Sequence, residues 1–546
     1  MLNLSLPKSH KTLQITLTLT LILILILCFF SGAKAFAAHS GMAVNINGLE
    51  APIDFIPEAL GDYRWEVSTQ SENAQNYFTQ GMQLRWAYNM PESARSMAQA
   101  RRIDPSCAMC FWGEAFALGS FLNGGTNKEK ASRAHVAINQ ALTLSETKAS
   151  PIERALIQAA QVRYPKDYDP DNRRVVDQAF ADEMAKVYRT YPDNHNVAAV
   201  YGVSLFLLED RRGYRDLASP SLQKLHHVLS GVLNDDIKHP GACHLYIHAT
   251  ESSQDPGLAL PCTEHLAAAV PLASHIQHMP SHTWNELGLW GKSVRANTKA
   301  YHADLKAAQN RGFSYGPTHN LHMLLFAASF DGQGAVATQA GKDYRKLTND
   351  SLFEVLTLIR FGRFDEVLEN KRRPKKEASS GIYDFAQGYA NLKAGNIDTA
   401  KNISEDLLIF SKNTEAKVRF HSAKNVVGTL AHILAGEILV DLGNYKEAIK
   451  EFESAVQLED NLGYDEPEPL PFSARHWLGA ALLKDHQYTA AEKTYRDELK
   501  DHPNNGWSLL GLNQSIIAQD RTDETVVKAL SSSWARADTW ITHSKF

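Results

Sequence analysis

The stretch Asp441-Leu-Gly-Asn-Tyr445-Lys-Glu-Ala448-Ile-Lys-Glu-Phe452-Glu-Ser-Ala455 constrains this chain more than any other. Leu-Gly closes one helix and the glycine makes the turn. An aromatic, then Ala, an aromatic and Ala, follow on the next helix, where small residues let two helices approach closely. Degraded copies recur: Leu287-Gly288-Leu-Trp290 with Ala296 and Ala300, Gly332 to Ala337, Phe361-Gly-Arg-Phe364, Gly395-Asn-Ile397 with Ala400, and His486-Gln-Tyr488 with Ala491. The equivalent positions 364 and 397 are 33 apart, close to the ~34-residue period of a helix-turn-helix repeat. Wider gaps hold inserts, such as Asp465-Glu-Pro-Glu-Pro-Leu-Pro471 between Tyr445 and Tyr488. Elsewhere apolar residues recur at three and four, and no stretch alternates cleanly enough for a sheet. The N-terminal third has the same grammar around Tyr88 to Gly119. A repeat buries its apolar face only against its neighbours, so the expected fold is an all-α solenoid of stacked helix pairs.

This is the tetratricopeptide plan. It divides the chain into N-terminal helical repeats at 38–235, a histidine-rich helical segment at 236–330 and C-terminal tetratricopeptide repeats at 331–546, behind a leader at 1–37. The leader carries Lys8 and Lys11, an uncharged run from Leu13 to Phe30, and Ala33-Lys34-Ala35 and Ala35-Phe36-Ala37 as exits. That is the plan of a secretory signal peptide, with a mature start between Phe36 and Ala38 and a secreted or periplasmic destination. The run of 18 is also long enough to span a bilayer, so a membrane tether by the uncleaved segment is the alternative. Leu27 before Cys28 argues against a lipid-modified cysteine.

Composition excludes several classes. Of 546 residues 44% are hydrophobic and 21% charged, so the chain is neither disordered nor fibrous. A net charge of −5 leaves no basic excess to neutralise phosphates, which excludes nucleic acid as the main partner. Five cysteines are too few for a disulfide scaffold. Cys107-Ala-Met-Cys110 is followed by Phe111, where c-type haem attachment needs histidine, and no second close pair completes a four-cysteine zinc site. Disulfides at 107–110 or 243–262, a soft-metal site at Cys107 and Cys110, and buried small residues all remain open. No Gly-rich phosphate loop, G-x-S-x-G or H-E-x-x-H is present.

The chemistry, if the chain has any, lies in histidine. Ten of the 22 fall between His239 and His322. His244 and His248 are four apart, with Glu251 three further on, and share a helix face. His275, His278 and His282 are spaced three and four, although Pro280 can break their helix and strand His275 in the preceding turn. His319 and His322 follow Pro317, a helix-start signal. One such pair is most often a capping or surface feature. Three pairs in successive elements point to a metal site, in which neutral imidazoles ligate zinc, copper or iron. Repeated Glu-x-x-His, the di-iron pattern, is absent, which sets copper or zinc ahead of iron. The expected ligands are His244, His248, His278, His282, His319 and His322, enough for two three-histidine centres. His239, His275, Glu251, Cys107 and Cys110 are second-rank, and Glu251 is the candidate catalytic base.

The strings Asp104-Pro-Ser-Cys-Ala-Met-Cys-Phe-Trp-Gly-Glu-Ala115, His239-Pro-Gly-Ala-Cys-His-Leu-Tyr-Ile-His248, His275-Ile-Gln-His-Met-Pro-Ser-His282 and His319-Asn-Leu-His322 resemble a family of bacterial and fungal tetratricopeptide-repeat proteins. Asp465-Glu-Pro467, Leu478-Gly-Ala-Ala-Leu and Pro503-Asn-Asn-Gly506-Trp are similar to it too. The resemblance covers most of the mature chain and implies the helical-repeat fold more than any reaction. The chain departs from it at Asn89-Met90, where members often have Asn-His, and at Gly119-Ser120-Phe121, where they have Gly-Pro-Asn. These departures weigh against a site role for the N-terminal helices. Two functions compete. One is a metal-dependent protein, enzyme or carrier. The other is a scaffold that binds a protein or peptide in the solenoid groove, with structural histidines.

Overall fold

The computed structural model describes residues 48–546 apart from residue 211, so the leader lies outside the described residues. Within them 25 α-helices follow one another, and the two-residue strands Lys417–Val418 and His421–Ser422 form one hairpin. Nearly every helix packs chiefly against the helix before and after it, the contact order of a solenoid. The fold is all-α and tetratricopeptide-like.

The repeat turns share one geometry. Gly288, Gly332, Gly362, Gly395 and Gly443 have φ between 65° and 83°, and His486 takes the same left-handed form at 58°. The next N–H in each case reaches a carbonyl five residues back. Asn444 N donates to Leu439 O (2.9 Å), Arg363 N to Leu358 O (2.9 Å) and Leu289 N to Trp284 O (2.7 Å). This closure satisfies carbonyls that a helix C-terminus leaves over, and glycine adopts it without Cβ strain. Ala448 is fully buried one turn into the next helix. Gly436 on the preceding helix lies so close to Phe452 that a Cβ would meet its ring at 2.5 Å. Small residues set the separation of this pair, as the repeat pattern requires.

The N-terminal repeats use the closure once with a costly residue. Asn89 N donates to Leu84 O (2.9 Å), and the left-handed position is Tyr88, φ 57°. A non-glycine residue there costs about 1–2 kcal/mol.

The buried apolar residues form two cores. One runs from Leu49 to Phe313, the other from Trp290 to Val526. The C-terminal stretch returns onto the start of the second: Trp507 Nε1 donates to Ser329 O (2.9 Å), Arg536 pairs with Asp331 (2.6 Å), and the Tyr389 hydroxyl donates to Phe546 O (2.6 Å). Among the described residues one helix, Ala423–Asp441, is long and apolar enough to cross a membrane, and 67% of its most apolar window is buried in the protein.

Cys107 is bonded to Cys110 and Cys243 to Cys262. Of the three readings left open by the sequence, the structure takes the disulfide at both places, so Cys107 and Cys110 offer no thiolate to a metal. The second bridge ties helix Pro240–Thr250 to helix Leu260–Ala269, one residue before His244.

Candidate metal centre

Helix Pro240–Thr250 begins with His239 as its cap. His239 Nδ1 accepts from Ala242 N (3.1 Å), and proline fills the first position, where no N–H is needed. The helix is buried almost all round, so its polar side chains need partners inside the protein. His244 Nδ1–H donates to Trp86 O (2.5 Å), and because a carbonyl only accepts, Nε2 carries the lone pair. His248 Nδ1 lies 2.8 Å from Glu251 Oε1, leaving a buried Nε2 with no hydrogen-bond partner.

Pro280 does not break the next element. Met279 is α-helical (φ −50°, ψ −40°), and Met279 N still reaches His275 O (3.1 Å). Proline removes one donor, and helices Ser274–His278 and Pro280–Glu286 continue each other. His275 therefore stays with His278 and His282. Its Nε2 lies 3.1 Å from His244 Nε2. His244, His248 and His275 form one buried trio of nitrogens close enough to share an ion.

His278, His282 and His319 form the second. The Nε2 atoms of His278 and His282 are 3.3 Å apart, and the His319 ring, on helix Pro317–Phe330, is 4.7 Å from that of His278. The trios adjoin, with His275 and His278 ring centres 5.0 Å apart and those of His248 and His282 5.4 Å apart.

Between them stands Glu251. One carboxylate oxygen faces His248 Nδ1 and the other His282 Nδ1 (2.5 Å), and Glu466 Oε2 also reaches His282 Nδ1 (2.8 Å). His248, Glu251, His282 and Glu466 are a third group within ligand reach. Here the Nδ1 atoms meet carboxylates at hydrogen-bond distance, the arrangement that orients an imidazole and frees its Nε2. Glu466 is placed by its neighbour Asp465, which is buried and holds Arg212 (3.0 Å), Arg419 (2.9 Å) and His421 (3.2 Å).

Burial pushes His244, His275 and His278 well below the ordinary imidazole value, and the neighbouring histidines push the same way, so these rings are neutral. Burial opposes charge on His282 too, but Glu251 and Glu466 outweigh it and raise this ring to about 10. Glu251 is held below its usual range: burial and Glu466 oppose ionisation, and His248 and His282 prevail.

The donor set suits an ion. Ligand nitrogens at ~2.0–2.1 Å from a tetrahedral zinc stand ~3.3 Å apart, beside the observed 3.1 and 3.3 Å. His248 Nε2, His275 Nδ1 and His278 Nδ1 are buried without a hydrogen-bond partner, and buried polar atoms of this kind call for an ion or water. Aromatic rings close one end: Tyr88 lies 4.2 Å from the His244 ring and 5.4 Å from that of His275, and Tyr315 4.2 Å from His275.

Five of the six expected first-rank ligands enter the trios. The sixth, His322, is turned away. It stacks on Phe353 (4.0 Å), and its Nδ1 accepts from Arg419 Nη1 (2.8 Å). Residues three apart on a helix diverge by ~60° around its axis, enough to send His319 to the centre and His322 to a neighbouring helix. His275, second-rank in the sequence, completes the trio with His244 and His248. His239 is a cap beside Tyr63 and Trp86. Sequence reasoning did not find Glu466, Trp86 or Tyr88. Glu466 lies 184 positions from His282, beyond any local pattern.

No protein family's profile and no curated protein matches the chain. Solved structures match loosely. The human IFIT1 dimer with m7Gppp-AAAA is 10% identical, with a TM-score of 0.30, over 88% of this chain and 98% of that one. The Cut9–Hcn1 hetero-tetramer of APC/C is 12% identical, with a TM-score of 0.28, over 86% and 89%. The P58(IPK) TPR domain is 11% identical, with a TM-score of 0.23, over 85% and 99%. The functional argument therefore rests on the chain's own residues: an all-α repeat protein with buried histidine groups that could hold a metal ion.

Proposed function

We propose that this is an exported transition-metal protein whose two histidine trios hold copper or zinc. The observation that carries the reading is Glu251, whose two oxygens face Nδ1 of His248 and of His282 and so direct one Nε2 toward each trio. An all-imidazole donor set favours copper or zinc over the carboxylate-rich environment typical of iron. A bound ion of this kind supplies Lewis acidity and, as copper, electron transfer. The protein's part is to keep His244, His275 and His278 neutral, to orient the imidazoles and to exclude water. Glu251 has both oxygens engaged, which supports a positioning role over that of a catalytic base. Export through a leader cleaved between Phe36 and Ala38 belongs to the same reading, and N-terminal sequencing of the fractionated protein tests it. A start at Met1 in the membrane fraction makes the run an anchor.

Metal content of purified protein separates ligands from bystanders. His275→Ala and the pair His248→Ala with His278→Ala are expected to lose metal with helicity retained, since a repeat array draws stability from many interfaces. His322→Ala is expected to keep it. Equal metal content in the parent and all three variants would leave the scaffold reading, in which the solenoid groove binds a protein or peptide.

A further inference from the structure

A cavity of about 730 Å³ opens beside the second trio, lined by His282 together with Glu459, Glu466 and Glu468. Its volume falls within the range of sites for small organic molecules. The lining is acidic to an unusual degree. Eight of its residues are Asp or Glu, against Arg475 and Lys500, and both cations are already paired, Arg475 with Asp460 (2.7 Å) and Lys500 with Asp497 (2.7 Å).

Several of the acids are engaged as well. Asp465 holds two arginines, Glu466 meets His282, Glu468 meets His502 (3.4 Å), and Glu459 accepts from the neutral donors Ser473 Oγ (2.9 Å) and Ala474 N (3.0 Å). Glu286 is not: it has no hydrogen-bond or ion-pair partner among the described residues. Burial, with Glu468 next, raises Glu286 and Glu459 to about 8 each. A second observation is independent of charge. Asn285 Oδ1, on a side chain 93% buried, lines the same cavity and accepts no hydrogen bond. Carboxyl and amide oxygens offer acceptors, and a cation placed against the two carboxyls favours their ionised form, so the matching ligand brings donors and positive charge. Trp290 and Phe326 supply an apolar wall.

We infer that this cavity binds an organic cation, a primary ammonium or guanidinium group on a short apolar chain, with the charged end against Glu286 and Glu459 and the chain along Trp290 and Phe326. The inference rests on the metal reading only for what lies beyond the cavity: a ligand seated here ends next to His282, at the edge of the second trio. A free amine and a lysine side chain present the same chemistry.

Calorimetric titration of the mature, metal-loaded protein tests this, with 1,5-diaminopentane as probe, 1,5-pentanediol as its uncharged counterpart and the blocked peptide acetyl-Gly-Lys-Gly-amide as the side-chain source. The diamine is expected to bind and the diol not to. Glu286→Gln and Glu459→Gln are each expected to weaken the diamine at least tenfold with unchanged far-ultraviolet circular dichroism. Peptide binding at or above the diamine's affinity assigns the cation to a lysine side chain, and weaker peptide binding to a free amine. Equal binding of diol and diamine, or diamine affinity unchanged in both variants, overturns the inference. Metal content measured on the same samples keeps the two questions apart: diamine binding without metal sinks the metal reading alone, and metal without diamine binding sinks this inference alone.

Discussion

Replacing Glu251 by glutamine tests the centre at the residue on which both trios depend. The carboxylate is 4% exposed and accepts from Nδ1 of His248 at 2.8 Å and of His282 at 2.5 Å. Glutamine fills the same volume but keeps one acceptor and turns an NH₂ donor toward the other imidazole. One ring loses its orienting partner and faces a donor. Loss of such a partner lowers metal affinity by about 10–100-fold, or about 1.4–2.7 kcal/mol. The assay is competition with a chromophoric chelator at neutral pH, run for zinc(II) and copper(I), beside a thermal melt of the metal-free protein. A direct ligand would show a far larger loss, and a catalytic base would leave affinity unchanged. A dissociation constant within twofold of the parent, for both metals, would refute the orienting role even if the melting temperature fell.

Ala448→Leu forces a larger side chain into a fully buried site; a loss of about 1–3 kcal/mol is expected, and an unchanged melting temperature would contradict the repeat register. Glu286 adds a pH dependence to stability. Its carboxyl is raised to about 8, chiefly by burial and then by Glu468 and Glu251, so the folded state holds this proton more tightly than the unfolded chain does. Its contribution to stability is therefore lost as pH rises from about 4.5 through about 8. Glu286→Gln should match the parent near pH 4.5 and exceed it at pH 9 by on the order of 2 kcal/mol, a figure discounted for partial exposure. Denaturant titration at the two pH values checks this, and an equal difference at both would contradict it.

The fold was legible because its signals are local. A glycine after a helix and small residues at fixed offsets into the next specify a turn and a close contact within one repeat, and the Leu-Gly turn at 442–443 with Ala448 is an instance. The histidine cluster was legible where a helix alone determines it, as at His244 and His248. It was misjudged where two local rules competed. Pro280 argued for a break, but a single missing N–H did not interrupt the helical run, so His275 stayed with the centre. His319 and His322 shared a broad face, but the helices packed on either side sent them apart. Glu466 and Trp86 reach the histidines only through tertiary packing, which no spacing encodes. Tyr88 was hidden by its own turn, because the position calls for glycine on conformational grounds. Its ring packs on His244 and His275.

The two cores meet across the histidines. His244 and His248 stand on a helix whose apolar residues belong to the first core, and His319 on one whose apolar residues belong to the second. A repeat array ordinarily melts piecemeal, since each unit answers only to its neighbours. Ions held at the adjoining trios would act as a rivet at the seam: neither half could open without surrendering ligands, and the binding energy would be shared between both. Metal would then govern how many transitions the protein has as well as where they lie. The loaded chain would unfold as one cooperative block, and the stripped chain as two halves with separate midpoints.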